Sequence, residues 1–264
     1  MKKNMTSHKN TISAVIIAKN EAKMIGDAIK SLSFADEVLV IDTGSTDKTE
    51  ELSKKLGARV LSYTTGKTFS DWRNFGLRAA KGDWILYIDG DERVSSALQS
   101  EICGIVQNSN PHSFAYAIPR SNVIFGKEFR HGGWWPDYVK RLFKKSELTK
   151  WNGDLHEEPV FEGKLELLQN YLLHIKHETV FEMVEKTNKW SAIEGTLMFE
   201  ANHPPMNIAR FLTGMFREFW KRMILERAFL DGKEGIIMAV YQVFSRFCSY
   251  TKLWELQISH KNKS

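Results

Sequence analysis

The feature that most constrains this chain is an alternation, over its first 90 residues, of short apolar runs with segments of helical periodicity. TISAVIIA (11–18), EVLVID (37–42), ARVLSY (58–63) and DWILYID (83–89) are β-branched or continuously apolar and read as buried strands. Between them, Ile25, Ala28, Ile29 and Leu32 recur at helical spacing. Asp47 with Glu50 forms a candidate capping box for a second helix, and Ser70 is placed to cap a third running through Ala80. Strand and helix in strict order predict an α/β fold, a parallel sheet with helices on both faces. Ligands of such sheets bind beyond the carboxyl ends of the strands, which is where chemistry is to be sought.

The regularity fades downstream. Residues 95–108 read as one more helix, and 112–177 as mixed sheet and loops with strand-like pieces SFAYAI, YVKRLF and LELLQNYLLHI. Residues 180–256 read as helices broken at HPP (203–205) and DGKEG (231–235), before a frayed tail. The expected organisation is a flexible N-terminus (1–10), a catalytic α/β domain (11–180), an amphipathic helical region (181–256) and a tail (257–264).

Composition excludes some classes. Only Cys103 and Cys248 occur, each in a helical stretch, so a disulfide framework is not expected, and no Cys/His cluster has zinc spacing. The polar start MKKNMTSHKN lacks a secretory h-region, and no run approaches the roughly 18 apolar residues of a membrane span. The expectation is a cytoplasmic protein, peripheral on the inner face of the cytoplasmic membrane. A net charge of +5 attracts polyanions, but the basic residues match no nucleic-acid recognition motif, so no nucleic-acid partner is expected.

Four motifs fall at strand ends. In YIDGDE (87–92), Asp89 and Asp91 follow an apolar strand on a turn softened by Gly90, and two such carboxylates can face one Mg²⁺ or Mn²⁺ shared with substrate phosphates. In isolation that pattern is only a polar turn. In VLVIDTGSTD (38–47), Asp42 is placed to accept hydrogen bonds from a nucleoside, while Asp47 reads as a helix cap. AKNEA (18–22) puts Asn20 and Glu21 on the same rim, with Glu21 equally readable as a charge favourable to a helix N-terminus. Arg73, at the start of the third helix, suits a phosphate or a base edge, or a solvated surface.

The ordered set AKNE, VIDTGSTD and RNFGLRAAKGDWILYIDGDE resembles glycosyltransferase family 2 over roughly residues 11–95. HGGWWPDYVKRLFKK (131–145) and DLHEEPV (154–160) are similar to its lipopolysaccharide inner-core β-1,4-glucosyltransferase branch, and the likeness extends through the helical tail. The resemblance implies a GT-A fold with a C-terminal helical extension, inversion at the anomeric carbon and a UDP-sugar donor. It implies nucleoside contacts from Glu21, Asp42 and Arg73, and a divalent metal at Asp91, with Asp89 nearer the ribose or the cation. One departure stands out: many members carry two acids where this chain has Asp42-Thr43.

For the base of an inverting transfer, LHEE offers Glu157 and Glu158, of which the motif favours Glu157; Asp154 is a further candidate. His156 could bind phosphate or metal, and His174 could complete the metal shell. Trp134 and Trp135 are either sugar platforms or buried rings, and Lys140, Arg141, Lys144 and Lys145 either a phosphate-binding cluster or a solvated basic strand. The implied reaction moves glucose from UDP-glucose to a heptose of the lipopolysaccharide core, a lipid-anchored acceptor. The alternatives are another surface glycan as acceptor, or a non-catalytic nucleotide-binding membrane scaffold. For residues 206–227, a cationic amphipathic helix could lie on an anionic membrane or pack as core.

Overall fold

The computed structural model describes residues 9–108, 111–153, 157–177 and 179–261, with the backbone alone of His177. The expected alternation is present. β1 (Ile12–Ala18), α1 (Ile25–Ser31), β2 (Glu37–Asp42), α2 (Thr49–Lys55), β3 (Arg59–Ser62), α3 (Phe69–Ala79) and β4 (Trp84–Asp89) follow one another. β1 pairs in parallel with both β2 and β4, and β2 with β3. Alternate residues serve opposite faces of this sheet. Ala14, Ile16, Val40, Leu86 and Ile88 join one buried cluster, whereas Val15, Leu39, Ile41, Ile85 and Tyr87 join another. Both faces are therefore covered, which explains why the strands read as apolar runs rather than alternating ones.

β5 (Glu92–Val94), α4 (Ser96–Gln107), β6 (Ala115–Ile124), β7 (Lys127–Glu128) and β8 (Asp137–Lys144) come next. β9 (Leu148–Asn152), β10 (Glu158–Phe161), β11 (Leu165–Leu167) and β12 (Leu172–His177) complete the strands. The main sheet runs β3-β2-β1-β4-β8-β6-β12-β5, with β7 and β11 on β6, while β9 and β10 form a separate hairpin. β8 runs antiparallel to β4, so the parallel half gives way to a mixed one. LELLQNYLLHI is not one strand: Leu168 is buried between β11 and β12, and Glu101 accepts hydrogen bonds from the Gln169 and Asn170 amides.

Helix starts differ from expectation. The cap of α3 is Thr68, two residues before Ser70, in a reciprocal capping box with Asp71. Ser70 is buried and donates to the Gly153 carbonyl instead. Asp47 does not form a box with Glu50: its carboxylate accepts from Thr49 and from the Ala22 amide, tying the two loops together.

The chain forms two compact units, one of Met1–Arg120 with Tyr138–His174, the other of Ser121–Asp137 with Ile175–Ser264. The second holds α5 (Val180–Glu200), α6 (Ile208–Trp220) and α7 (Gly232–Lys261). The tail expected to fray from residue 257 is helical to Lys261. Residues 121–137 join these helices through a cluster of Ile124, Phe129, Met183 and Met238. The buried Asp231 carboxylate also accepts from the Arg130 and His131 amides, at 3.0 and 2.8 Å.

Candidate active site

Register fixes the first two acids. Ala18 of β1 stands opposite Asp42 of β2, and Ile17 opposite Asp89 of β4. Both acids thus end their strands at one level, roughly 10 Å apart across one intervening strand. Asp42 is buried, and its Oδ2 accepts from the Gly44 and Ser45 amides at 3.1 Å each, in a turn that the positive φ of Gly44 permits. Its Oδ1 is buried and takes no hydrogen bond among the described residues. An orphaned buried acceptor is costly, and it is the feature a ligand N–H would relieve. Thr43 donates its amide to the Ala18 carbonyl at 3.0 Å and is buried.

Asn20 and Glu21 belong to the same rim. Asn20 adopts a left-handed conformation and accepts from the Thr46 amide at 2.8 Å, locking the first loop to the second. Glu21 lies against Gly90, where a Cβ would stand 3.1 Å from its Cγ; a side chain at 90 would push the acid off the turn. Arg93 closes that turn by donating to the carbonyls of Gly90, Glu92 and Met24.

Asp89 and Asp91 have different surroundings. Asp89 Oδ2 is held by Arg141 and Oδ1 lies 3.5 Å from Arg73. Burial alone would raise the Asp89 pKa, but Arg141 and Arg73 outweigh it and keep the carboxyl well below the usual range. Burial works against the Arg141 charge too, yet Asp89 and Glu92 raise its pKa above the ordinary arginine value. Asp91 instead stands 3.3 Å from His174 Nε2 through its Oδ2. The β5–β12 ladder delivers His174 there, setting it opposite Glu92. Among the described residues no three His, Cys, Asp or Glu side chains gather as a metal site.

Arg141 lies not in an exposed basic cluster but inside the fold, where the antiparallel β8 carries it toward the carboxyl end of β4. It bonds the fully buried Glu92 at 2.8 Å, and Arg120 reaches the same carboxylate at 3.4 Å. Glu92 in turn accepts from the Asp89 amide at 3.0 Å. Lys140 pairs with Glu158, and Lys144 lies over the Phe114 ring. Trp134 packs partly buried against Ile124, Phe129, Met183 and Met238, with Lys176 over its ring, and Trp135 receives Arg130. A packed ring therefore describes Trp134 better than a sugar platform does.

Arg73 is buried, not solvated. Its guanidinium sits 4.7 Å over the Trp151 ring and 3.1 Å from Glu157 Oε1. Two Asn74 bonds to the Trp151 backbone, each 2.8 Å, fasten β9 to α3 and so bring the β9–β10 hairpin to the cluster. Glu157 thereby reaches Asp89 through Arg73, whereas the neighbouring Glu158 is exposed and held by Lys140. Asp154 and His156 lie outside the described residues. Sequence reasoning missed Glu92, Arg120 and Trp151; for Arg120 the available signal was a lone charge inside an apolar strand run, AYAIPRSNVI.

Acids at neighbouring strand ends, a buried arginine network beneath them and a carboxylate-bearing hairpin beside them accord with a family match. A model of glycosyl transferase family 2 covers residues 13–166. The chain belongs to glycosyltransferase family 2. An uncharacterized glycosyltransferase of Rickettsia bellii is 33% identical over 265 residues, spanning 94% of this chain and 87% of that one. The lipopolysaccharide core biosynthesis glycosyltransferase LpsC of Rhizobium meliloti is 26% identical over 212 residues, 75% of each chain. Among solved structures, glucosyl-3-phosphoglycerate synthase of Mycobacterium tuberculosis overlaps 74% of this chain and 81% of its own, at 18% identity and a TM-score of 0.49. An overlap that loose adds nothing to the family match. Family membership and the strand order together bear out the expected GT-A type of α/β fold with helices after it.

Proposed function

We propose that this family 2 transferase moves glucose from UDP-glucose, with inversion, onto a saccharide hydroxyl of a lipid-anchored lipopolysaccharide core. The observation that carries the reading is the division of labour at the rim. Asp42 presents a buried, unsatisfied oxygen, Asp89 is immobilised by two arginines, and Asp91 pairs with His174. The core-saccharide acceptor is supported by the relationship to LpsC, and a heptose as acceptor sugar by the resemblance of HGGWWPDYVKRLFKK and DLHEEPV to the inner-core branch.

In this reading Asp42 Oδ1 accepts an N–H of the nucleoside base, and Glu21 is a second nucleoside contact on the same rim. Asp91 and His174 put an oxygen and a nitrogen donor side by side, a set that fits a divalent cation sharing its remaining sites with a diphosphate. With Mg²⁺ or Mn²⁺ bound there, positive charge would favour departure of the nucleotide. Asp89 fits a ligand role less well, since its oxygens face Arg141 and Arg73; it holds the turn on which Asp91 stands. Glu157 takes the proton of the acceptor hydroxyl as that oxygen attacks the anomeric carbon. The bond from that carbon to the diphosphate breaks, its electron pair leaves with UDP, and one displacement inverts the configuration.

The test is a screen of UDP-sugars with Mn²⁺ or Mg²⁺ and a truncated lipopolysaccharide acceptor, reading UDP release and the new linkage. UDP-glucose should be preferred and the product β-linked. An α-linked product would rule out single displacement, and UDP binding without release from any donor would make the chain a nucleotide-binding scaffold.

A further inference from the structure

The helix α6 has three distinct sides. Phe211, Gly214 and Met215 turn toward α7, where Tyr250 would meet a Cβ on Gly214 at 2.5 Å. At 100° per residue, Ile208, Leu212, Phe216 and Trp220 share another side. These four are 78, 66, 65 and 47% exposed, and the last two rings stack with centroids 6.0 Å apart. Arg210, Arg217 and Lys221 fall on the third side, all exposed, along the border of the apolar one. Exposed apolar residues continue past the helix at Ile224, Leu225, Phe229 and Leu230.

The net charge along this stretch is positive. Residues 208–230 carry five basic side chains and two acidic ones; Arg222 engages both acids, Glu218 at 2.9 Å and Glu226 at 3.1 Å, and Lys221 stands 3.7 Å from Glu226. A second copy of the chain would set like charges against one another across a symmetric contact. A sheet of anionic headgroups over acyl chains complements both the border and the stripe. No helix among the described residues is long and apolar enough to cross a membrane.

We infer that α6 docks the protein on an anionic bilayer surface, lying in the interface with Ile208, Leu212 and Phe216 inserted below the headgroups and Arg210, Arg217 and Lys221 among the phosphates. Bilayer binding is separable from catalysis, since none of these residues belongs to the candidate active site. The experiment is sedimentation of the full chain with vesicles of phosphatidylcholine alone or mixed with phosphatidylglycerol. Binding should be roughly tenfold stronger to the mixed vesicles and weaken with salt. The double variant Leu212→Glu/Phe216→Glu should lose it with unchanged circular dichroism and Tm, and Arg210→Gln/Arg217→Gln should lose the anionic preference while retaining residual binding. Undiminished binding by the glutamate variant would overturn the proposal. So would light scattering that shows a wild-type dimer, a monomeric variant and no vesicle binding by either, for the face would then be covered by a second copy.

Discussion

Asp89 and Arg141 show how much of this site is decided by single side chains. Arg141 is buried against Asp89 and the fully buried Glu92, so Arg141→Ala leaves two carboxylates facing Arg73 and Arg120 alone. Urea unfolding should show a loss of about 3–5 kcal/mol, as for a buried pair broken from one side. The depressed Asp89 pKa gives a pH signature. A carboxyl ionised more readily when folded adds stability above its unfolded pKa of about 3.9, lost as the pH falls through the lower folded value. The unfolding midpoint of Asp89→Asn should therefore trail the wild type by a constant margin above about pH 5 and converge on it only in stronger acid. Glu157→Gln should keep UDP affinity and lower turnover about 100-fold, with Glu158→Gln near normal in the same assay. The reverse ranking would move the base by one residue. At this scale the sequence was legible where a motif ends a strand, as for Asp42, Asp89 and Asp91. It was not legible where a charge is buried by distant partners: a solvated surface stood open for Arg73 and Arg141 beside a phosphate contact, because their partners, Glu157, Asp89 and Glu92, lie 84, 52 and 49 residues away.

Elements follow local chemistry closely in the parallel half and loosely elsewhere. β1, β2 and β4 are buried on both sides and the edge strand β3 packs Val60 and Leu61 against opposite faces, so apolar runs alone marked them, and the intervening helices carried their own periodicity. Several later strands, β7, β10 and β11 among them, are short, and β11 gains its place by pairing with β6 some 50 residues earlier in the chain. Caps were misread because several Ser, Thr and Asp residues compete at each helix start, and the winner depends on tertiary contacts: Ser70 is drawn to Gly153, leaving Thr68 to cap. Thr68→Ala should accordingly cost about 1 kcal/mol in chemical denaturation, through lost capping alone. A stability equal to wild type would mean that α3 is started by something other than this box.

At the scale of the whole molecule, a boundary at residue 180 is legible in composition, but the compact units are not. Residues 121–137 join the helices that begin 43 positions later than their own last residue, because Phe129 and the Arg130 and His131 amides find their partners there. Point variants, not truncation, are thus the means to separate the helical segment's role from folding, since cutting after residue 205 would strip Asp231 and Met238 from those groups. The central claim is that acids on one rim of the first unit grip a nucleoside diphosphate through a divalent cation. Calorimetric titration of UDP into the full chain, with Mn²⁺ or with chelator, for wild type and Asp91→Ala, tests it most directly. Wild type should bind UDP tightly only with Mn²⁺, and Asp91→Ala should lose that enhancement while keeping its Tm. UDP affinity that is indifferent to both the metal and the substitution would contradict the account.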